Sequence, residues 1–184
     1  MLFSFDVTTK EKDYLDFNKF VLTKSPYGKK QNLSIKIIFG IIFIFLIICT
    51  LINDGFGLPS IIESVVYVVF YLLFIFLFPK FVMLTVKAQI KSAAKTNKPL
   101  YTPHATIEFY DGEFIERTPE TTSTVKYTTI ECVCVLEDNT VYMFYNKLIA
   151  YIITGNSFAT AEQFVEFVEF IKTKVKNVEF FDCK

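Results

Sequence analysis

The sequence predicts an α+β membrane protein: a two-helix transmembrane hairpin plus an antiparallel β-sheet or partly closed barrel, finished by a C-terminal amphipathic helix. Three observations predict it. Two apolar runs, Ile37 to Ile52 and Val65 to Phe78, stand close together. From His104 onward apolar residues recur at every second position, the period of a half-buried strand. Near the C-terminus the spacing becomes that of a helix with one apolar stripe. The organisation that follows is an N-terminal cytoplasmic strand and helix (1–32), the hairpin (33–86), a basic juxtamembrane linker (87–103) and a cytoplasmic domain (104–184).

The N-terminal segment alternates Phe3, Phe5 and Val7 with Ser4 and Asp6, a strand pattern. Thr8 and Glu11 have capping-box spacing, and Tyr14, Phe17 and Val21 recur on one helix face. Ser25-Pro26-Tyr27-Gly28 ends that helix. A lone strand needs a partner, so Phe3 to Val7 is expected to join the sheet beyond the hairpin.

The first apolar run, with Leu33 to Lys36 added, reaches the roughly 20 residues that span hydrocarbon. A dozen Ile, Leu and Phe residues at the bilayer centre favour insertion by about 5 kcal/mol in sum. The second run is shorter. It extends back to Ile61 by taking in Glu63, or forward to Val86 by taking in Lys80, and both extensions stay open because end charges snorkel. Between the runs, Asn53 to Ser60 carries the Gly and Pro residues of a turn. No small-residue cleavage site follows the first run, and Leu46-Ile47-Ile48 before Cys49 is too bulky for lipoprotein processing.

Orientation follows from lysine. The link has none, whereas Lys24, Lys29, Lys30 and Lys36 precede the first run and Lys80, Lys87, Lys91 and Lys95 follow the second. The positive-inside rule puts both flanks, hence both termini, in the cytoplasm of a multi-pass membrane protein. Lys80, Lys87, Lys91 and Lys95 are the candidate membrane-surface residues, each worth about 1 kcal/mol on an anionic leaflet. The simpler reading is that they only fix topology.

Charge divides along the chain: 12 lysines against 6 acids through Lys98, then 7 basic residues against 13 acids from Pro99. The acidic second half argues against a nucleic-acid partner, which requires a basic face. The bilayer and a protein are the expected partners. The Lys, Ile, Phe and Tyr bias suits an AT-rich bacterial genome.

Beyond His104, Ala105, Ile107 and Phe109 alternate with polar residues, and Asp111-Gly112 signals a hairpin. Glu113 to Thr118 returns, Thr122 to Tyr127 follows, and Ile130, Cys132, Cys134 and Leu136 are expected to share one core-facing side. Val141 to Tyr145 and Leu148 to Ile153 bring the count to six short antiparallel strands in succession. Thr160 and Gln163 then cap a helix whose stripe is Phe164, Phe167, Val168, Ile171 and Val175.

Chemistry-bearing patterns are sparse. The four cysteines contain no CxxC pair, and the single histidine leaves zinc ligation short of partners, so no cofactor or metal is expected. Cys132 and Cys134 read as small buried thiols. His104 has no carboxylate or nucleophile placed beside it by spacing, and Glu113 with Glu116 reads as a solvated pair. Phosphate-cradling glycine loops and hydrolase elbows are missing, so no catalytic residue is assigned.

Several short segments, in order, resemble the YcxB-like family of small bacterial membrane proteins. They are Lys12-Asp13-Tyr14-Leu15-Asp16-Phe17, Ser25-Pro26 with Lys29-Lys30, Tyr127-Thr128-Thr129-Ile130, and Ile152-Ile153-Thr154-Gly155-Asn156-Ser157-Phe158. Tyr127 stands where the family often has Trp, and Thr154 where it often has Pro. The resemblance implies a pleckstrin-homology-like C-terminal domain at the plasma membrane and implies no activity. The expectation is therefore a non-catalytic, membrane-anchored interaction module. The alternative is an immunity or stress-protection protein acting through its hairpin.

Overall fold

The computed structural model describes residues 1–96 and 100–181; Lys98 and Cys183 of the sequence reading lie outside them. The chain forms two compact units, Met1–Phe17 with Ile90–Lys184, and Asn18–Gln89. The first is called the sheet unit and the second the hairpin unit.

The sheet unit begins with β1 (Phe3–Thr8), whose antiparallel partner is β2 (His104–Phe109). The N-terminal strand thus does join the later sheet, with Phe3 opposite Phe109 and Thr8 opposite His104. β3 (Glu113–Arg117) and β4 (Thr122–Lys126) complete a four-stranded antiparallel sheet in the order β1-β2-β3-β4. The β2–β3 hairpin turns at Asp111-Gly112, closed by the Tyr110 amide donating to the Glu113 carbonyl at 2.9 Å.

A 3₁₀ turn at Tyr127–Thr129 carries the chain into a second sheet. Its strands are β5 (Cys132–Leu136), β6 (Val141–Phe144), β7 (Ala150–Ile153) and β8 (Val178–Phe181), in the order β7-β6-β5-β8. The six expected strands are present, but as parts of two sheets rather than one meander or closing barrel. β8 was not expected, and it pairs parallel to β5, which makes this sheet mixed.

The face of β5 is also corrected. Val133 and Val135 point into the core, while Cys132 and Cys134 lie on the opposite side with cross-strand neighbours Phe144 and Tyr142. Ile130 belongs to the preceding turn, so it does not set the strand's register. Phe17 packs its ring against Tyr142 at 5.2 Å and Phe144 at 5.8 Å, which covers the thiol-bearing face.

The core is aromatic. Phe5 of β1, Phe109 of β2 and Phe158 meet Phe167 of α4 (Ala161–Lys174), with Phe5–Phe167 at 4.9 Å and Phe109–Phe167 at 4.8 Å. These tilted and edge-on contacts are the geometry aromatic pairs prefer. Thr160 caps α4 by accepting from the Gln163 amide at 3.2 Å, and Gln163 reaches back to the Ala159 amide at 2.7 Å. Lys174 donates to Asp111 at 2.5 Å, tying α4 to the β2–β3 turn. Gly155, in the turn before α4, approaches the Asp138 carbonyl so closely that a Cβ would stand 2.3 Å from its oxygen.

α1 (Glu11–Thr23) does not start on the expected Thr8 cap. Thr8 remains in the β1 ladder, and Asp13 accepts from the Lys10 amide at 2.8 Å instead. In the hairpin unit Ser25 joins α1 to α2 (Pro26–Asp54): its hydroxyl donates to the Val21 carbonyl at 2.8 Å and accepts from the Gly28 amide at 2.9 Å. A Cβ on Gly28 would fall 1.7 Å from the Val21 oxygen, so only glycine fits this elbow.

α3 (Leu58–Lys95) follows a three-residue turn and runs unbroken through Pro79. Pro79 has no N–H to donate to the Ile75 carbonyl, but it does not end the helix. Tyr71 of α3 donates to the Lys36 carbonyl at 3.1 Å, and Phe39 stacks on Phe74 at 4.2 Å. Both helices are long and apolar enough to cross a membrane. Ile41, Phe45, Ile52, Phe70 and Phe76 are among the apolar side chains they leave exposed.

Candidate functional site

Alternation on β3 produces the most informative site. Phe114 is buried in the core, and Glu116, two residues on, must project from the same strand face. The register agrees, because Glu116 lies opposite buried Ile107. Glu116 is therefore a half-buried, inward-facing carboxylate, not the solvated partner of Glu113 that the sequence reading expected.

Glu116 lines a groove of about 370 Å³ wholly within the sheet unit. One wall is Val7, Ala105 and Ile107 of the first sheet, and the facing wall is Ala150, Tyr151 and Ile152 of β7. Tyr145, Leu148 and Ile149 from the β6–β7 connection form one rim. Tyr14 and Phe17 of α1 lie with Leu100, Tyr101 and Thr102 along the groove. Two aromatic pairs define it: Tyr145–Tyr151 at 5.7 Å and Tyr14–Tyr101 at 5.3 Å.

Its electrostatics are one-sided. Among the described lining residues Glu116 is the only ionisable acid, and no lysine or arginine is present. Burial raises the Glu116 carboxyl above its usual range. Burial, and then the neighbouring Glu116 charge, push the Tyr151 phenol up to about 12. Among the described residues Glu116 makes no salt bridge. Alternation beyond Phe114 was the one sequence signal that would have singled out Glu116. Nothing in the spacing of Tyr14, Tyr101, Tyr145 and Tyr151 indicated that they would meet.

The other candidates lie elsewhere. His104, at the start of β2, hydrogen bonds through Nδ1 to the Thr8 hydroxyl at 3.3 Å. It edges a shallow depression that also contains Asp6, Thr106 and Arg117, where Asp6 accepts from Thr106 at 2.8 Å. Cys132 and Cys134 bring their sulfurs to 3.9 Å. That contact and burial push the Cys134 thiol well up, the opposite of an activated thiolate. Among the described residues no three His, Cys, Asp or Glu side chains converge on a possible metal position.

Lys80, Lys87, Lys91 and Lys95 are all exposed on α3. At 3.6 residues per turn they lie within about 80° of one another on the helix surface. At 1.5 Å per residue Lys87, Lys91 and Lys95 stand about 10, 16 and 22 Å along the axis from Lys80.

A family model described as YcxB-like protein matches residues 109–171, from the end of β2 into α4. The match includes Glu116, Tyr145 and Tyr151, while Tyr14 and Tyr101 lie outside it. No curated protein and no solved structure matches the chain.

Proposed function

From this YcxB-like region we propose that the chain is a non-catalytic, membrane-tethered interaction module. Its sheet unit, of pleckstrin-homology-like organisation, offers the Glu116 groove to a partner at the cytoplasmic face of the plasma membrane. The order of elements supports that organisation: four strands, three more in a second sheet, then a helix against the core.

The observation that carries the reading is the pairing of β1 with β2 across the inserted hairpin. Both ends of the hairpin return to one sheet, so insertion of α2 and α3 must involve an even number of crossings. Charge-free stretches Ile37–Asn53 and Ser64–Pro79 give about 25 Å each at 1.5 Å per residue, near the hydrocarbon thickness once Lys36 and Lys80 snorkel. The lysines on both flanks favour the cytoplasmic side. With α3 upright, Lys80 lies nearest the headgroups and Lys87 just over one Debye length (about 8 Å) beyond it, whereas Lys91 and Lys95 stand about two and nearly three Debye lengths out.

The test places a photo-crosslinking residue at Leu148, on the groove rim, in the full chain in its native membrane. A protein adduct that disappears when Ala150→Trp fills the groove supports the reading. Adducts with lipid alone, unchanged by Ala150→Trp, overturn it.

A further inference from the structure

Desolvating a carboxylate is unfavourable unless a cation or hydrogen-bond donors compensate. Glu116 is half-buried on the inner face of β3, and no described ion pair offsets it. Beside Glu116, the described lining residues bring aromatic rings, aliphatic side chains and threonine hydroxyls to the groove. Among the described lining residues a phosphate or carboxylate ligand would meet Glu116 with no basic side chain to hold it. The site suits a cation that is weakly hydrated and partly apolar. Aromatic faces attract such a charge within about 6 Å of the ring centroid. The Tyr145–Tyr151 and Tyr14–Tyr101 pairs supply those faces from separate parts of the unit, and a volume of about 370 Å³ admits a small molecule.

We propose that the groove binds a small, soluble organic ammonium ion, with Glu116 as counter-charge and the rings of Tyr151, Tyr145 and Tyr14 around the cationic head. The inference rests on the interaction-module reading and names the ligand chemistry of that same groove. Tyr151 lines the groove with Glu116 and packs edge-on against Phe114, which shares the inward face of β3 with Glu116.

The experiment uses the full chain in phosphatidylglycerol nanodiscs and measures binding of choline by calorimetry. Its probe of charge is 3,3-dimethyl-1-butanol, which keeps the shape and replaces the quaternary nitrogen with carbon. Choline is expected to bind at least about tenfold more tightly than the alcohol, in line with a partly desolvated cation–π and ion-pair contact. Glu116→Gln and Tyr151→Leu are each expected to weaken choline by about tenfold or more. Retained cooperative unfolding of both variants excludes misfolding as the cause.

Equal affinity for the alcohol, or choline binding unchanged in Glu116→Gln, overturns the proposal. Phosphatidylcholine nanodiscs form a second arm. Undiminished choline affinity there supports a soluble ligand, whereas competition by the bilayer overturns that source in favour of a lipid headgroup. If choline fails to bind while the Leu148 crosslink to a protein persists, the ammonium inference falls and the module reading stands. If both fail, the module reading falls with it.

Discussion

Phe5→Ala tests whether the strand before the hairpin completes the core made after it. Phe5 is 1% exposed and meets the rings of Phe109, Phe158 and Phe167 at 5.8, 4.8 and 4.9 Å. Truncating a buried Phe to Ala costs about 3–5 kcal/mol, because contacts are lost and the surroundings only partly collapse. The upper half of that range is expected, since the lost ring has aromatic neighbours from three other elements. Cys134 is a built-in reporter at 1% exposure, blocked from labelling until the sheet opens. With Cys49, Cys132 and Cys183 replaced by Ala, maleimide labelling of Cys134 should accelerate by about three to three and a half orders of magnitude in Phe5→Ala. Phe56→Ala, in the hairpin turn and 87% exposed, is the control and should leave the rate unchanged. An acceleration below about fivefold, under 1 kcal/mol, would refute the reasoning that β1 is part of the core.

Glu116→Gln should stabilise the sheet unit at neutral pH. The folded carboxyl titrates above its unfolded value, so stability falls as pH rises from the unfolded pKa through the folded one, and wild type and variant should converge in acid urea titrations. Asp111 behaves oppositely: the Lys174 hydrogen bond lowers its pKa, so its contribution is present above the unfolded pKa and lost as pH falls through the folded one. Lys174→Met should therefore flatten the acid limb of the same titration. Gly155→Ala should lower the unfolding free energy in urea titrations by about 1–3 kcal/mol, as for an overpacked site, through the close approach to Asp138. Lys91→Gln with Lys95→Gln should leave flotation with anionic liposomes unchanged, whereas a large loss would mean that α3 lies along the surface.

Local patterns made much of the architecture readable. The apolar runs, the Asp111-Gly112 turn and the α4 stripe depend on residues close in sequence, where period and turn chemistry act. The reach of α3 past Pro79 was less legible, because proline removes one hydrogen bond but does not dictate where a long apolar helix stops. β8 was missed for a different reason. Val178–Phe181 is four residues long, and its partner β5 is recruited across the intervening β6, β7 and α4. The Cys132–Cys134 face was misassigned because Ile130 lies in a turn whose position alternation alone does not reveal. The groove was the least legible feature: it joins β1, α1, the 100–102 segment, β3 and β7, and only the inward phase of Glu116 is local information.

The proposal at the centre of the account is a cytoplasmic sheet whose β1 and β2 flank, in sequence, a membrane-inserted hairpin. Single cysteines at Phe56, in the turn between α2 and α3, and at Leu148, on the groove rim, test it in a background with all four native cysteines replaced by Ala. A membrane-impermeant maleimide is applied to spheroplasts before and after permeabilisation. The account predicts that Phe56→Cys labels from outside and Leu148→Cys only after permeabilisation. Labelling of Leu148→Cys from outside, or of both only after permeabilisation, would contradict it.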